Sequence, residues 1–151
     1  MPLSDFLSNT DKEKFVSSQF TPCRVIRRHC SFTTPPKPKF LVISCIRTET
    51  AFLVINSKIS PFIESKKHLR DCQVLIDKTS HDFLSHDSYV DCTKTYYEDT
   101  PEIFNELVAH TGNLKGEVSD SVKNNILEAL RNSPTISSGE IELLIAAISK
   151  K

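Results

Sequence analysis

The residues best suited to chemistry are a group of cations near the start of the chain. Five Lys and Arg side chains fall within 16 residues, and two Phe residues lie among or directly after them: Arg24, Arg27, Arg28, Phe32, Lys37, Lys39 and Phe40. Arg and Lys contact phosphates and aromatic rings stack on bases, so this composition is typical of proteins that bind single-stranded nucleic acid. An exposed edge strand, protected from pairing by its charges, would have the same composition. The residues alone leave both interpretations open.

Charge divides the chain into two unlike halves. Residues 1–70 carry 12 Lys and Arg against 5 Asp and Glu, whereas residues 71–151 carry 7 against 14, so the net charge of the whole is zero. One interpretation is a basic face for a nucleic acid, with an acidic tail that faces a protein partner or solvent. The other is that the two halves attract each other.

Other kinds of site chemistry find little support. Cys23, His29 and Cys30 are near one another, but their spacing matches no common zinc pattern, so no metal site is predicted. The five Cys residues are odd in number and widely spaced, which favours buried free thiols over disulfides or a nucleophile. Gly occurs only three times, at positions 112, 116 and 139, so neither a P-loop nor a dinucleotide-binding loop can be formed.

Length and hydropathy predict a single domain in the cytoplasm. The chain has 151 residues, of which 38% are hydrophobic and 25% are charged, as in globular proteins. No apolar run approaches the roughly 18 residues of a membrane span. The first residues also lack the basic and apolar regions of a secretory signal, so we expect no membrane segment and a cytoplasmic location.

The elements that must position the cations are predicted to be strands. Residues 23–29 predict a strand with a basic face, preceded by a short helix over residues 11–19 and followed by a Pro-rich loop over residues 31–38. Residues 39–46 and 51–57 are apolar runs that predict a central hairpin buried on both faces. Two further short strands are predicted at residues 72–77 and 88–92, and the loop between them contains His81 and His86.

Helix signals dominate the last third of the chain. Asp99 and Pro101 mark the start of a first helix, which Gly112 is predicted to end. Ser119 is the expected cap of a second helix and Ser137 that of a third. Together with the strands, these signals predict an α+β fold.

Two short motifs, taken with this order of elements, resemble the PemK/MazF family of toxin endoribonucleases. In that family a loop ending in Arg-Pro leads into an apolar strand that closes on a small polar residue, and residues 37–44 (KPKFLVIS) resemble that pattern. The family also has an Asp-Ser turn into a late apolar strand, and residues 87–90 (DSYV) are similar to it. The resemblance covers roughly residues 21–110.

The resemblance implies a small SH3-like antiparallel β-barrel with C-terminal helices. In this division residues 1–151 are one domain, with an N-terminal extension over residues 1–20. Residues 21–112 form the barrel core with one helix, and residues 113–151 form a C-terminal helical pair.

The resemblance also implies a function and its residues. Family members are toxins of toxin–antitoxin systems that cleave single-stranded RNA without a metal or other cofactor, through attack of the 2′-hydroxyl on its own phosphodiester. The family's catalytic Arg falls on Lys37, and its Ser or Thr at the end of the second strand falls on Ser57. The expected RNA contacts are Arg24, Arg27, Arg28, Lys39 and His86. A homodimer and an antitoxin protein partner are further implications.

Lys37 departs from the family pattern. Lysine offers phosphate a point charge in place of the two-pronged guanidinium of Arg. Lys39 and Arg28 are the residues that the sequence offers as substitutes. The alternative is a non-catalytic binding module that recognises RNA or a protein partner, and a third interpretation is a protein-interaction role for the acidic helical tail. The residues leave open whether the chain is an enzyme.

Overall fold

Two central strands form an antiparallel hairpin that is buried on both faces. They are β2 (Lys37–Ile46) and β3 (Glu49–Asn56), in a computed structural model that describes residues 8–33 and 35–150. Successive residues of a strand point to opposite faces. All six residues from Thr50 to Ile55 are nevertheless buried, so both faces of β3 are covered. The predicted central hairpin is confirmed.

The remaining strands extend the hairpin into one antiparallel sheet. They are β1 (Arg24–Cys30), β4 (Gln73–Ile76), β5 (Ser88–Asp91), β6 (Tyr96–Asp99) and β7 (Leu114–Glu117). Their order across the sheet is β4-β5-β3-β2-β1-β7, and β6 pairs with the first half of β3. The sheet curls into a half-barrel, so the α+β class is confirmed.

Helices cover the two faces of the sheet. They are α1 (Asn9–Gln19), α2 (Pro61–Glu64), α3 (Lys67–Arg70), α4 (Thr100–Ala109), α5 (Asp120–Arg131) and α6 (Ser138–Ser149). On one face, α5 and α6 pack against side chains such as Val42 and Leu53. On the other, α1 and α4 pack against Leu41 and Phe52. None of the helices in residues 8–33 and 35–150 has the length and apolar character required to cross a membrane.

Side-chain caps begin the three late helices where the sequence predicts them. The side chain of Asp99 accepts a hydrogen bond from the backbone of Glu102, and Ser119 and Ser137 cap α5 and α6 in the same way. These caps satisfy backbone donors that have no partner within the helix. The predicted role of Gly112 is wrong, because α4 ends at Ala109 and Gly112 lies in a 3-10 turn (Thr111–Asn113).

Three features of the sheet differ from the sequence prediction. The sequence does not predict the short strands β6 and β7, and β7 lies in a segment for which the pattern predicts helices alone. Pro38 belongs to β2 and not to a loop. It lies opposite His29 of β1, whereas pairing with β3 begins at Phe40, so Pro38 occurs where β2 has one neighbouring strand. Sheets tolerate Pro at such positions. Residues 1–7 of the predicted extension and Thr34 of the predicted loop lie outside the described residues.

Substitutions on the two faces of β3 test whether both faces of this strand are buried. Phe52 and Leu53 are neighbours in sequence, both 0% exposed, and belong to different apolar clusters. We expect Phe52→Ala to lower the free energy of unfolding by about 3–5 kcal/mol and Leu53→Ala by about 2–5 kcal/mol, measured by urea unfolding. Leu75→Ala in β4, where the side chain is 49% exposed, is the control and should cost about 1 kcal/mol or less. A small loss for either buried residue would show that its face is solvated.

Candidate functional site

A cleft of about 220 Å³ opens where β2 begins and β3 ends. The pairing register assembles its base, because Arg27 lies opposite Phe40 and Phe40 lies opposite Ile55. The loop that precedes β5 forms the facing wall. The lining residues are Arg27, Lys37, Pro38, Lys39, Phe40, Ile55, Ser57, Leu84, Ser85, His86 and Ser88.

Five of the seven residues predicted for the site line this cleft. They are the two expected catalytic residues, Lys37 and Ser57, and three of the expected RNA contacts, Arg27, Lys39 and His86. Lys37 begins β2 and Ser57 directly follows β3, so antiparallel pairing brings both to the same end of the hairpin. The proximity of residues 20 positions apart is therefore a consequence of the hairpin.

The cations that line the cleft have no carboxylate partner among the described residues. No Asp or Glu is among its lining residues. Within the described part of the chain, Arg27, Lys37 and Lys39 form no ion pair with a carboxylate. A concave site lined by cations raises the local concentration of anions, so an anionic ligand is favoured.

Lys39 is more constrained than the other two cations of the cleft. It lies opposite Arg28 in the register of β1 and β2, and its Nζ donates a hydrogen bond of 2.6 Å to Oδ1 of Asn56. Burial lowers the pKa of Lys39, and the charge of Lys37 lowers that pKa further. Arg27 and Lys37 are both exposed and therefore have more freedom to contact a ligand.

The polar groups of the cleft include an imidazole whose hydrogen bonds indicate its tautomer. Nδ1 of His86 lies 2.9 Å from the carbonyl oxygen of Asp87, and the hydroxyl of Ser88 lies 3.3 Å from the same nitrogen. A carbonyl can only accept, so the neutral ring carries its hydrogen on Nδ1 and its lone pair on Nε2. Nε2 is then the atom that can accept a proton from a ligand.

A buried histidine fixes the loop that presents His86. The backbone N–H of Ser119, the cap of α5, donates to Nε2 of His81 over 3.0 Å, so Nδ1 carries the hydrogen and donates to the carbonyl of Asp77 over 2.7 Å. His81 is 2% exposed. Nearby, the ring of Phe83 packs edge-on against Phe40 in the cleft, with 5.7 Å between centroids. The sequence places His81 in a polar loop and gives no sign of this role, because the donor at Ser119 is 38 residues away.

Arg28, by contrast, is held by three carboxylates away from the cleft. Its guanidinium donates two hydrogen bonds to Glu106, of 2.7 and 3.0 Å, and lies 3.1 Å from Glu98 and 3.7 Å from Glu102. These hydrogen bonds and charges raise the pKa of Arg28 above its already high ordinary value. Arg28 therefore connects β1 to β6 and α4, and it does not line the cleft.

Arg24 is also engaged elsewhere. Its guanidinium lies 3.7 Å from Glu117 and donates to the carbonyl of Gln19 over 3.1 Å. Strand alternation places Arg24 and Arg28 on the face opposite to Arg27. The three Arg residues of β1 therefore do not share one basic face. β7 pairs with Arg24–Ile26 only, whereas Arg27–Cys30 pair with β2 alone, so the edge-strand interpretation holds for the second half of β1.

These ion pairs distinguish between the two interpretations of the unequal charges of the two halves. Arg24 and Arg28 belong to the basic half, and their carboxylate partners all belong to the acidic half. The two halves therefore attract each other across β1, as the second interpretation of the charge asymmetry predicts. Part of the basic half is neutralised in this way, and the cations of the cleft are not.

The cysteines are free thiols, as the sequence predicts. Four of the five are buried, and burial raises the pKa of Cys23, Cys30, Cys72 and Cys92. A thiol with a raised pKa stays protonated and is a poor nucleophile. Across residues 8–33 and 35–150, no group of three or more His, Cys, Asp and Glu residues is arranged to hold a metal ion.

Comparisons with known proteins assign no family to the chain. No protein-family model matches it, and no curated protein matches it in sequence. The resemblance to the PemK/MazF family therefore stays a prediction that rests on residues 37–44 and 87–90. Functional inference depends on the residues that the fold brings together in the cleft.

Acid titration of Glu106 tests the structural role of Arg28. The hydrogen bonds from Arg28 lower the pKa of the Glu106 carboxyl, so its contribution to stability is present above the ordinary pKa of a Glu, about 4.3. That contribution is lost as the pH falls through the lowered value of the folded state. We expect Glu106→Gln to lower the free energy of unfolding by about 1 kcal/mol at pH 7, since the carboxylate is partly exposed.

The difference between wild type and Glu106→Gln should shrink as the pH is lowered below 4, measured by urea unfolding across pH 2.5–7. Glu142→Gln on the exposed side of α6 is the matched control and should have no measurable effect. A difference that is constant with pH would contradict the ion-pair account.

Proposed function

We propose that the cleft binds single-stranded RNA and cleaves it without a metal, as toxin endoribonucleases of the PemK/MazF family do. One observation carries the proposal: Lys37, Ser57, Arg27 and His86 line the same cleft, and no carboxylate lines it. Arg and Lys are the side chains that bind phosphate most strongly, through charge-assisted hydrogen bonds. A hydroxyl and an imidazole in the same cleft are the groups needed to act on that phosphate.

The chemistry is an internal transesterification of RNA. The 2′-oxygen forms a bond to the adjacent phosphorus, the bond from phosphorus to the 5′-oxygen breaks, and the products end in a cyclic phosphate and a 5′-hydroxyl. Nε2 of His86 accepts the proton of the 2′-hydroxyl, and a proton from solvent reaches the leaving 5′-oxygen. Lys37 and the hydroxyl of Ser57 contact the non-bridging oxygens, on which negative charge builds up in the transition state.

Arg27 supplies the guanidinium that the family has at the position of Lys37. It lines the cleft from the neighbouring strand β1, is exposed and has no carboxylate partner among the described residues. A guanidinium can hold two oxygens of one phosphate, which an ammonium cannot. In this proposal Arg27, and not Lys39 or Arg28, replaces the catalytic Arg of the family pattern.

The finer features of the proposal rest on the resemblance. They are an SH3-like form of the curled half-barrel, a homodimer, a place in a toxin–antitoxin system and an antitoxin protein as partner. The second candidate function is a non-catalytic module that binds RNA or a protein through the same cleft. Lys37, at the position where the family has Arg, is the observation that favours it.

Incubation with RNA in EDTA tests cleavage. Purified protein is mixed with a single-stranded RNA of mixed sequence, and the products are separated and their ends identified. We expect fragments that end in a cyclic phosphate, and a rate lower by about 100-fold or more in Lys37→Ala and in Ser57→Ala, since each loses a contact to the developing charge. Lys14→Ala and Ser17→Ala, both exposed on α1, are the matched controls and should cleave as the wild type does.

Intact RNA over a wide range of protein and salt concentrations would contradict the catalytic proposal. Salt-dependent binding of the same RNA, weakened by Lys37→Ala, would then favour the binding module.

Restoring the arginine of the family pattern distinguishes the two functions further. We expect Lys37→Arg to raise the cleavage rate by about 10-fold, because a guanidinium contacts two phosphate oxygens at once. The measurement is the single-turnover rate in EDTA, with Lys14→Arg as the control. A rate as low as that of Lys37→Ala would contradict a phosphate contact at this position. Cleavage by Lys37→Arg combined with no cleavage by the wild type would identify the natural protein as a binding module.

A further inference from the structure

The chain leaves the cleft through an exposed basic segment. Residues 58–70 directly follow Ser57 and include the short helices α2 and α3. Of their side chains only that of Leu69 is buried. Four of the residues are cations and one is an acid: Lys58, Lys66, Lys67, Arg70 and Glu64. The positive charge of the cleft therefore continues along the surface.

An aromatic ring lies exposed in the middle of this segment. Phe62 in α2 is 64% exposed, more than the other exposed large apolar residues of the described chain, which range from 42% to 49%. Nζ of Lys66 lies 5.3 Å from the centroid of its ring. An exposed ring beside a cation is the combination with which proteins bind single-stranded nucleic acid, since a base stacks on the ring and a phosphate contacts the cation.

Local hydrogen bonds order the backbone turn that carries this ring. The hydroxyl of Ser60 accepts from the backbone N–H of Ile63 at the start of α2, where Pro61 fixes the first turn. The hydroxyl of Ser65 donates to the carbonyl of Phe62 over 2.7 Å. Leu69 then anchors α3 to the protein interior. Phe62 is therefore presented on an ordered turn, which reduces the entropy lost when a ligand binds.

The cations nearest the cleft and the ring are those without an acidic partner. Lys67 lies 2.7 Å from Asp71, and Arg70 lies 4.0 Å from Glu64. Lys58 and Lys66 form no ion pair with any carboxylate of the described residues. Lys58 follows Ser57 directly, and Lys66 lies over the ring, so a path of unneutralised charge leads from the cleft to Phe62.

We propose that Phe62 and Lys66 form a second RNA subsite, in which a base stacks on the ring and its phosphate contacts Lys66, with Lys58 between this subsite and the cleft. The inference rests on the proposed function and specifies its substrate. Phe62 is five residues from Ser57, so their Cα atoms are at most about 18 Å apart. This limit means that an RNA strand of several nucleotides can span both places. We expect a trinucleotide bound in the cleft to leave the ring unoccupied, as two separate subsites require.

Binding of two lengths of RNA tests this subsite. Fluorescence anisotropy measures the affinity of the full chain for a 3-nucleotide and a 12-nucleotide 2′-O-methyl RNA, which cannot be cleaved by attack of a 2′-hydroxyl. We expect Phe62→Ala to weaken binding of the 12-mer by about 5-fold to 100-fold, as expected for the loss of one stacked base, and to leave the 3-mer within 2-fold. Lys66→Ala should weaken the 12-mer and reduce its salt dependence by about 0.7 in log–log slope. Phe15→Ala removes another exposed ring, on α1, and is the control.

The outcomes separate this inference from the proposed function. If Phe62→Ala binds the 12-mer as tightly as Phe15→Ala does, while Lys37→Ala weakens both lengths, the second subsite is overturned and the cleft stands. If Phe62→Ala weakens the 3-mer as much as the 12-mer, Phe62 belongs to the cleft itself and a separate subsite is overturned. If the wild type binds neither RNA at low salt, the proposed function fails and the inference fails with it.

Discussion

Burial of the β2–β3 hairpin on both faces is the constraint on which the rest of the structure depends. A strand that contributes to two apolar clusters has no solvated face along its middle, so charged side chains are confined to its ends. Lys37 at the start of β2 and Ser57 after the end of β3 occupy two such ends. Antiparallel pairing places them together. The cleft is therefore located where the apolar core stops.

Strand alternation then divides the Arg residues of β1 into two groups with different partners. Arg24 and Arg28 point toward carboxylates from the second half of the chain, and their charge is used to join β1 to its neighbours. Arg27, one residue before Arg28, is on the other face and borders the cleft. Within β1, the odd or even position of each Arg therefore decides whether it joins the scaffold or borders the cleft. Position alone does not decide this for Lys37 and Lys39, which line the cleft although they lie opposite Cys30 and Arg28.

The sequence predicts the parts of this structure that depend on local patterns. The apolar runs predict the hairpin, and side chains such as Asp99 and Ser119 predict the helix starts. The predicted hairpin also brings Lys37 and Ser57 to the same end of the sheet. It does not predict β7, because residues 114–117 have no alternation of apolar and polar side chains and pair only through contact with β1. The partners of Arg28 are 70 to 78 residues away, so its role could not be read from its neighbours. These ion pairs form only when the fold brings β1 next to β6 and α4.

The hydrogen bond from Ser119 to His81 connects the C-terminal helices to the loop that borders the cleft. These helices contain no residue that lines the cleft, and they follow all of its lining residues in the sequence. Yet the backbone amide of Ser119, which caps α5, donates to the buried ring of His81 and so sets its tautomer. A chain shortened to end before residue 119 would keep all the lining residues, but it would lose the donor to His81 and the apolar side chains of α5 and α6 that cover one face of the sheet. The shortest chain that can form the cleft therefore extends well beyond the last lining residue, Ser88, and includes the C-terminal helices.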